Sequence, residues 1–298
     1  MLKTPRFFHA RRFVALAALV SLASCSGGGC GNCTVPAFTA PSPGTSPGPF
    51  FTPTPSPIPT ATPIPTPTPT PTPAPIALSC AQNAILPNQS VPLGTAANFA
   101  ILAGQTATNG GVATINGDLG VSPGNSQTGF GPGTTGTVNG SIWLAVPTAA
   151  NAQLDLTTAY NSAAGKPATV TLLGGTDIGG TTLPAGVYHS PSTLFITGPL
   201  VLNGGGNPNA VFIFQIGSGL TTAVGSTVNL IGLANPCNVF WQVGSSATIN
   251  GATFSGNILA FSSITMGLTT TMNGRALARN AAVTIPITAV DTISKPGP

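Results

Sequence analysis

The chain has 298 residues, of which only 12 are charged: eight Lys or Arg and four Asp, with no Glu. Four carboxylates and two His are few groups for acid–base catalysis or metal binding, so we expect no catalytic residues, no metal and no cofactor. Four of the eight cations lie before residue 13, and the rest of the chain balances four cations against four Asp. Since a nucleic-acid-binding protein needs a dense basic face, we also expect no nucleic-acid partner.

The N-terminus has the pattern of an export signal. A basic stretch precedes an apolar run of about a dozen residues, which is too short to cross a bilayer as a helix. The run ends in Leu22-Ala23-Ser24-Cys25, which resembles the lipobox of bacterial lipoproteins. We predict that residues 1–24 are a lipoprotein signal peptide and that a lipid on Cys25 anchors the protein in the outer membrane or at the cell surface. The alternative is an ordinary signal peptide that is cut nearby, followed by secretion.

Residues 25–79 are predicted to be a spacer. Cys30 and Cys33 form a Cys-x-x-Cys pair, but no second Cys or His pair lies nearby, so a local disulfide or unpaired thiols are favoured over a zinc or redox site. Residues 41–75 are rich in alternating Pro and Thr. Pro fixes φ and removes backbone donors, which favours polyproline II. At about 3.1 Å per residue, the tract predicts a semi-rigid stalk of roughly 100 Å.

Residues 80–298 are predicted to form one domain. Short apolar runs alternate with Gly, Asn, Ser and Thr, as in a chain of many short strands and tight turns. One helix is predicted from Pro147 to Gly165, with Thr148 or Asn151 as its N-cap. Its apolar stripe comprises Ala149, Ala152, Leu156, Ala159, Tyr160 and Ala163.

The last third of the chain repeats with a period near 20 residues and three short strands per repeat. This pattern is typical of a β-solenoid with a triangular cross-section. In the second strand of each repeat, alternation points two sets of mainly apolar residues inward, one just before and one just after a central position. Thr222 falls in register with the second set. The position between these sets points outward and is occupied by Thr221, Thr248, Thr265 and Thr284. The third strands repeat the pattern with Thr227, Thr253 and Thr271.

Such rows of Thr have a simple structural explanation, because Thr has a high β propensity. However, solvated sheet faces normally carry charges that block association, and these faces carry almost none. A flat, uncharged and evenly spaced face fits a partner that is itself flat, periodic and uncharged, and ice is such a partner. In the preceding coil Phe195 replaces the Thr, which limits the flat area on that side.

Several segments resemble the microbial ice-binding (antifreeze) protein family. They include LGTAANFAILAG (93–104), INGDLGVSPG (115–124), LPAGVYHS (183–190), NVFWQVGSSATI (238–249) and NGRALARN (273–280). The resemblance implies a mainly β fold: a discontinuous right-handed β-solenoid of triangular cross-section with one long α-helix packed alongside. It also implies that a flat solenoid face binds the surface of an ice crystal.

The family also carries a Thr-Ala/Gly-x-Thr/Asn pattern at one corner of the ice face. In this chain, residues 222–225 match the first half of the pattern. Residues 250–253 and 266–269 match its second half. Together with the Thr rows, the resemblance implies an ice-contact set of Thr221, Thr222, Thr248, Asn250, Thr253, Thr265, Thr269, Thr271 and Thr284. We expect the protein to act as a monomer.

One rival function is a stalked cell-surface adhesin or structural β-solenoid that binds protein or carbohydrate, which an aromatic or charged patch would favour. Another is a polysaccharide lyase or hydrolase of β-helix type, which needs clustered carboxylates or basic residues in a groove. Among single residues, we expect His189 to be structural and Asp118 to cap a turn. Arg275 and Arg279 are expected to form an ion pair with the helix carboxylate of Asp155.

Two cysteines of the domain are predicted to pair. Cys80 begins the domain and Cys237 begins a coil in its last third. Because an exported protein folds in an oxidising compartment, we predict a Cys80–Cys237 disulfide.

Overall fold

A computed structural model describes residues 91–250, 252–267, 269–286 and 290–296. The predicted signal peptide, Cys25, the stalk and Cys80 lie outside these residues. Short 3-10 helices span Gly94–Asn98 and Pro236–Asn238. The first group of strands is β1 (Phe99–Ala103), β2 (Thr106–Asn109), β3 (Val112–Asn116), β4 (Asp118–Val121), β5 (Ser126–Thr128), β6 (Gly136–Asn139) and β7 (Ile142–Leu144).

A helix, α1 (Pro147–Ala164), separates this group from the strands that follow. The second group begins with β8 (Val170–Thr171), β9 (Thr182–Pro184), β10 (Gly186–Ser190), β11 (Leu194–Ile196), β12 (Pro199–Asn203), β13 (Phe212–Ile216), β14 (Leu220–Thr222) and β15 (Thr227–Ile231). It continues with β16 (Val239–Val243), β17 (Ala247–Ile249), β18 (Ala252–Ala260), β19 (Ile264–Met266), β20 (Thr270–Ala278), β21 (Val283–Ile285) and β22 (Val290–Ser294).

The strands wind into coils with three sides, and the described strands of neighbouring coils pair in parallel. The first face contains β10, β13, β16, β1 and β4, the second contains β11, β14, β17, β19, β21, β2 and β5, and the third contains β12, β15, β22, β3 and β6. The nine-residue strands β18 and β20 contribute their first halves to the third face and their second halves to the first. They pass the corner at Gly256, which has φ +111°, and at Gly274, where a Cβ would overlap the carbonyl oxygen of Gly256.

The stack of coils does not follow the order of the chain. The last coil, formed by the second half of β20 with β21 and β22, pairs with β1, β2 and β3 from the beginning of the domain. The coil of β4, β5 and β6 then continues the stack outward. Helix α1 carries the chain from one group of strands to the other. The predicted discontinuous β-solenoid with one helix alongside is therefore confirmed.

Two layers of apolar side chains hold the domain together. The larger fills the inside of the solenoid, where Phe214 stacks on Trp241 with ring centroids 4.0 Å apart. The smaller lies between the first face and α1, and it includes Leu156, Ile213 and Leu277. The buried residues of α1 are the six of the predicted stripe. The first face is thus covered by the helix, which leaves the second and third faces for contact with a partner.

The N-cap of α1 was predicted wrongly. The helix begins at Pro147 with Val146 as its N-cap, in extended conformation and without a side-chain hydrogen bond. Thr148 and Asn151 therefore lie inside the helix rather than before it. Pro at the first helical position explains this start, because its fixed φ suits the first turn and that turn leaves backbone N–H groups unpaired in any case.

The predicted ion pair between the arginines and Asp155 is also wrong. Asp155 accepts hydrogen bonds from the backbone N–H (2.7 Å) and the hydroxyl (2.6 Å) of Thr95. Arg275 is buried and donates to the carbonyl oxygen of Ala97 (2.9 Å) and to Oδ1 of Asn257 (2.8 Å). Its guanidinium thus ties the segment before β1 to a coil that is distant in sequence, and burial lowers the pKa of Arg275 to about 10.

Arg279 and Asp118 have local roles. Arg279 lies over the ring of Tyr160, 4.7 Å from its centroid, and donates to the hydroxyl of Thr157. Asp118 accepts from the backbone N–H of Ser141 (2.9 Å) and from the indole N–H of Trp143 (3.0 Å). Asp118 thus joins neighbouring coils, which goes beyond the predicted turn cap.

Candidate functional site

The second face presents one unbroken row of threonines. In β14, β17, β19 and β21 the residues that flank the middle position are buried and the middle residue faces outward, as alternation predicted. The strand register brings Thr221, Thr248, Thr265 and Thr284 side by side. The row continues with Thr108 of β2 and Thr128 of β5, which the sequence analysis missed. We call these six residues the second-face row; with neighbouring strands about 4.8 Å apart, it is roughly 24 Å long.

The residues beside this row are small. Two positions before the six row threonines lie Gly219, Ser246, Ser263, Ala282, Thr106 and Ser126. The hydroxyls of Ser246 and Ser263 are hydrogen-bonded to each other at 2.9 Å. Because no long side chain stands on this side of the threonines, their methyl and hydroxyl groups form a flat surface here.

The flat surface ends at the coil of β11. Phe195 occupies the position of the row there, next to Thr221, as predicted. One coil further, Asp177 occupies the same position beside Phe195. Partial burial raises the pKa of Asp177, but hydrogen bonds from the hydroxyl and N–H of Thr197 and from the N–H of Gly179 outweigh it, and the pKa lies below its usual value. An aromatic ring and a permanent charge thus mark one end of the uncharged surface.

The third face carries a second row of threonines. The predicted residues Thr227, Thr253 and Thr271 pair in register, and the row continues with Thr292, Thr114 and Thr137. We call these six residues the third-face row. It crosses the same six coils as the second-face row. Two positions further along the third face lie Asn273, Ser294, Asn116 and Asn139.

Residues predicted from the corner pattern have different environments. Thr222 is buried, with 1% of its surface exposed, and its hydroxyl accepts a hydrogen bond from the N–H of Asn250 (2.8 Å). Placing Thr222 in the ice-contact set was therefore wrong, because its side chain joins two coils from the inside. Asn250 is half-buried and donates from its amide to the carbonyl oxygen of Thr222 (2.8 Å). Thr269 is exposed, and its φ of +51° is rare for a β-branched residue.

One carboxyl group lies inside the solenoid, beneath the third face. Asp291 has 2% of its surface exposed, and its Oδ1 accepts a hydrogen bond from the backbone N–H of Thr270 (2.6 Å). Its Oδ2 is buried without a hydrogen-bond partner. Burial raises the pKa of Asp291 to about 6, against the smaller lowering effect of the hydrogen bond from Thr270.

Other features of the described residues bear on function. These residues contain no group of three or more His, Cys, Asp or Glu side chains placed to hold a metal ion. No helix in this part of the chain has the length and apolar character needed to cross a membrane. Cys237 is disulfide-bonded, and its partner lies outside the described residues, so the pairing with Cys80 stays a prediction.

Comparison with known proteins identifies the family. The sequence model of the Ice-binding-like family matches residues 101–291. The chain belongs to this family. The ice-binding protein of Nostoc sp. (strain HG1) is 51% identical over 197 residues, which make up 65% of this chain and 71% of that protein.

Solved structures of ice-binding proteins share the fold. A crystal structure of an ice binding protein from an Antarctic biological consortium aligns with a TM-score of 0.65 and 43% identity, covering 72% of this chain and 93% of that one. The ice-binding protein of the Antarctic ascomycete Antarctomyces psychrotrophicus aligns with a TM-score of 0.64 and 36% identity, covering 68% of this chain and 97% of that one.

Proposed function

We propose that this domain adsorbs to ice through its second face and thereby inhibits ice growth and recrystallisation. The observation that carries the proposal is the second-face row, six threonines in consecutive coils with small residues beside them. Regularly spaced methyl and hydroxyl groups order a layer of water, and that layer can merge with the surface of a growing crystal. Crystal growth between adsorbed molecules must then be curved, which lowers the freezing point.

Rigidity makes this adsorption favourable. The residues on either side of the row threonine in β14, β17, β19 and β21 are packed in the core, so the backbone beneath this part of the row is fixed before binding. Thr has few rotamers in a strand, and a preformed array loses little entropy on binding. The mechanism needs no bond to be broken, no cofactor and no partner subunit, so we propose that one molecule acts alone.

Substitutions in the middle of the second-face row test the proposal. Thr248→Tyr and Thr265→Tyr place a ring on the flat surface while pointing to solvent, so we expect a strong loss of thermal hysteresis with unchanged circular dichroism and melting. A matched control is Thr158→Tyr on the exposed side of α1, which we expect to keep full activity. Full activity in both row variants would show that the second face is not the ice-contact surface.

We further propose that the chain is exported and displayed on a lipid anchor at Cys25, with residues 41–75 as a stalk. Several acyl chains, as in bacterial lipoproteins, anchor a protein stably, whereas one binds only marginally. Cys25→Ala should release the protein from the membrane fraction or leave its signal peptide uncleaved. Unchanged fractionation and cleavage of that variant would instead support an ordinary signal peptide and secretion.

A further inference from the structure

Asn is followed directly by Gly at several strand ends and corners of this fold. The described pairs are Asn109-Gly110, Asn116-Gly117, Asn139-Gly140, Asn203-Gly204 and Asn273-Gly274. Asn is among the chemically labile residues. A following Gly has no Cβ, so its backbone nitrogen can closely approach the side-chain carbonyl carbon of the Asn. Each pair is therefore a candidate for spontaneous modification, and its surroundings decide whether it reacts.

The neighbouring coil holds four of these five pairs closed. In three of them the glycine N–H donates to a carbonyl oxygen of that coil: Gly110 to Ile285 (2.8 Å), Gly117 to Asn139 (3.3 Å) and Gly204 to Ile231 (3.0 Å). Gly274 is buried within β20, where its backbone lies against that of Gly256. The nitrogen of such a glycine can react only after the coils have separated locally, and the free energy of that opening slows the reaction.

The pair Asn139-Gly140 differs because it lies on the last coil of the stack. Among the described strands β6 pairs only with β3, so its other edge has no neighbouring coil. Both residues of the pair are exposed, and no described residue accepts a hydrogen bond from the N–H of Gly140. The amide of Asn139 donates to Oδ1 of Asn116 (2.7 Å), and this hydrogen bond must break before the side chain can turn. A strand with a neighbour on one side only opens at low cost.

We propose that Asn139 is a site of spontaneous deamidation, and that the fold protects the four other pairs. The backbone nitrogen of Gly140 attacks Cγ of Asn139, so a C–N bond forms and the Cγ–Nδ2 bond breaks. The proton of the attacking nitrogen leaves with Nδ2 as ammonia. Water then opens the succinimide at either of its carbonyl carbons: its hydroxyl bonds to that carbon, and its hydrogen returns to the ring nitrogen. The products are aspartate and isoaspartate.

Deamidation at Asn139 would reverse a short chain of hydrogen bonds on the third face. At present the amide of Asn139 donates to Asn116, whose own amide donates to the hydroxyl of Ser294 (2.9 Å). A carboxylate can only accept, so Asn116 must turn its amide toward position 139. The hydroxyl of Ser294 can then donate to the carbonyl oxygen of Asn116. The aspartate form thus keeps the chain of bonds, whereas isoaspartate lengthens the backbone and shifts β6 against β3.

Peptide mapping of aged protein tests the inference. The full-length protein is incubated at physiological temperature and mildly alkaline pH, because the attacking nitrogen must lose its proton. It is then digested, and mass spectrometry measures aspartate and isoaspartate at each Asn-Gly pair. We expect Asn139 to convert at least about tenfold faster than the four other described pairs, which corresponds to about 1.4 kcal/mol less for local opening.

The unfolded chain is the first control. In denaturant all five pairs are open to the same attack, so we expect them to convert at similar rates. Equal conversion at Asn139 and at the four other pairs in the folded protein would overturn the inference. Faster conversion at Asn139 in the unfolded chain as well would overturn the protective role of the fold, because the local sequence would then explain the difference.

Asn139→Gln is the matched variant, since its longer side chain would have to close a larger ring, which forms more slowly. We expect the unmodified protein to accumulate an acidic species in ion-exchange chromatography that elutes with Asn139→Asp, and Asn139→Gln to accumulate much less of it. An acidic species that forms equally fast in Asn139→Gln would place the reaction elsewhere and overturn the inference. Circular dichroism establishes that both variants are folded. These measurements are chemical, so their outcome does not depend on the proposed function.

Discussion

The buried carboxyl group of Asp291 predicts an unusual dependence of stability on pH. The folded state raises its pKa from 3.8 to about 6, so the folded protein holds this proton more tightly than the unfolded chain does. The sign follows from proton linkage. The stabilising contribution of the protonated Asp291 is complete below about pH 4, is lost as the pH rises to about 6, and stays lost above that pH. Stability should therefore fall, not rise, between these pH values.

The magnitude can be bounded from the same environment. At about 1.4 kcal/mol per pKa unit, a fully shielded carboxylate would cost about 3 kcal/mol at neutral pH. The pKa of about 6 already includes the hydrogen bond from Thr270, so we expect a cost of at most about 3 kcal/mol. Asp291→Asn keeps an acceptor for Thr270 and removes the charge, and it should stabilise the domain by up to this amount at pH 7.

Chemical denaturation between pH 3.5 and 8 measures this effect in the unmodified protein and in Asp291→Asn. The chain has four Asp and no Glu, so few other groups titrate in this range. Asp177→Asn is a control, because the contribution of Asp177 to stability changes with pH in the opposite direction. Because the folded state lowers the pKa of Asp177, its contribution is present at neutral pH and is lost on acidification. A stability curve for Asp291→Asn parallel to that of the unmodified protein from pH 4 to 7 would refute the reasoning.

Three further predictions concern the backbone and the cysteines. Gly274→Ala should cost at least about 3 kcal/mol of stability or prevent folding, since its Cβ would meet the backbone of Gly256. The matched control is Gly198→Ala, whose Cβ would have its nearest neighbour at 3.4 Å, so its melting temperature should barely change. Equal losses of stability in both variants would show that the close contact at Gly274 is not the cause. Thr269→Gly should raise the free energy of unfolding by about 1 kcal/mol in urea denaturation, because a left-handed backbone strains Thr; a loss would show that the strain is absent. Peptide mapping without reductant should find Cys80 joined to Cys237, and free thiols at both would end that prediction.

The sequence predicts what is local in this fold. Helix α1 buries the predicted apolar stripe, because residues on one face of a helix recur every three or four positions in the sequence. The alternation of inward and outward residues along each strand was also predicted correctly, but it does not determine which face of the solenoid a strand joins. Ala-Thr-Ile-Asn occurs at 113–116 in β3 on the third face and at 247–250 in and after β17 on the second. Both copies bury Ala and Ile and direct Thr outward.

Pairings between distant parts of the chain could not be predicted from periodicity. Thr108 joins the second-face row beside Thr284, although the two lie near opposite ends of the domain. The alternation of Thr106, Ala107 and Thr108 could have indicated that Thr108 belongs to the second-face row, but only once β2 was known to stack on β21. Hydrogen-bond partners are equally non-local: Arg275 and Asp155 were predicted to form an ion pair, whereas each bonds to the segment just before β1 instead.

The position of β22 has a consequence for how the domain forms. This strand is the last of the domain to be synthesised, and it lies between β20 and β3, which is among the first. While the chain emerges, β1, β2 and β3 can stack only on β4, β5 and β6, and the backbone groups on their other edges wait for β20, β21 and β22. Closing a loop of nearly the whole domain is slow, because its entropy must be lost before any of these contacts form. The stack therefore closes only after β22 has been synthesised, and loss of β22 would leave β3 without its partner on that side.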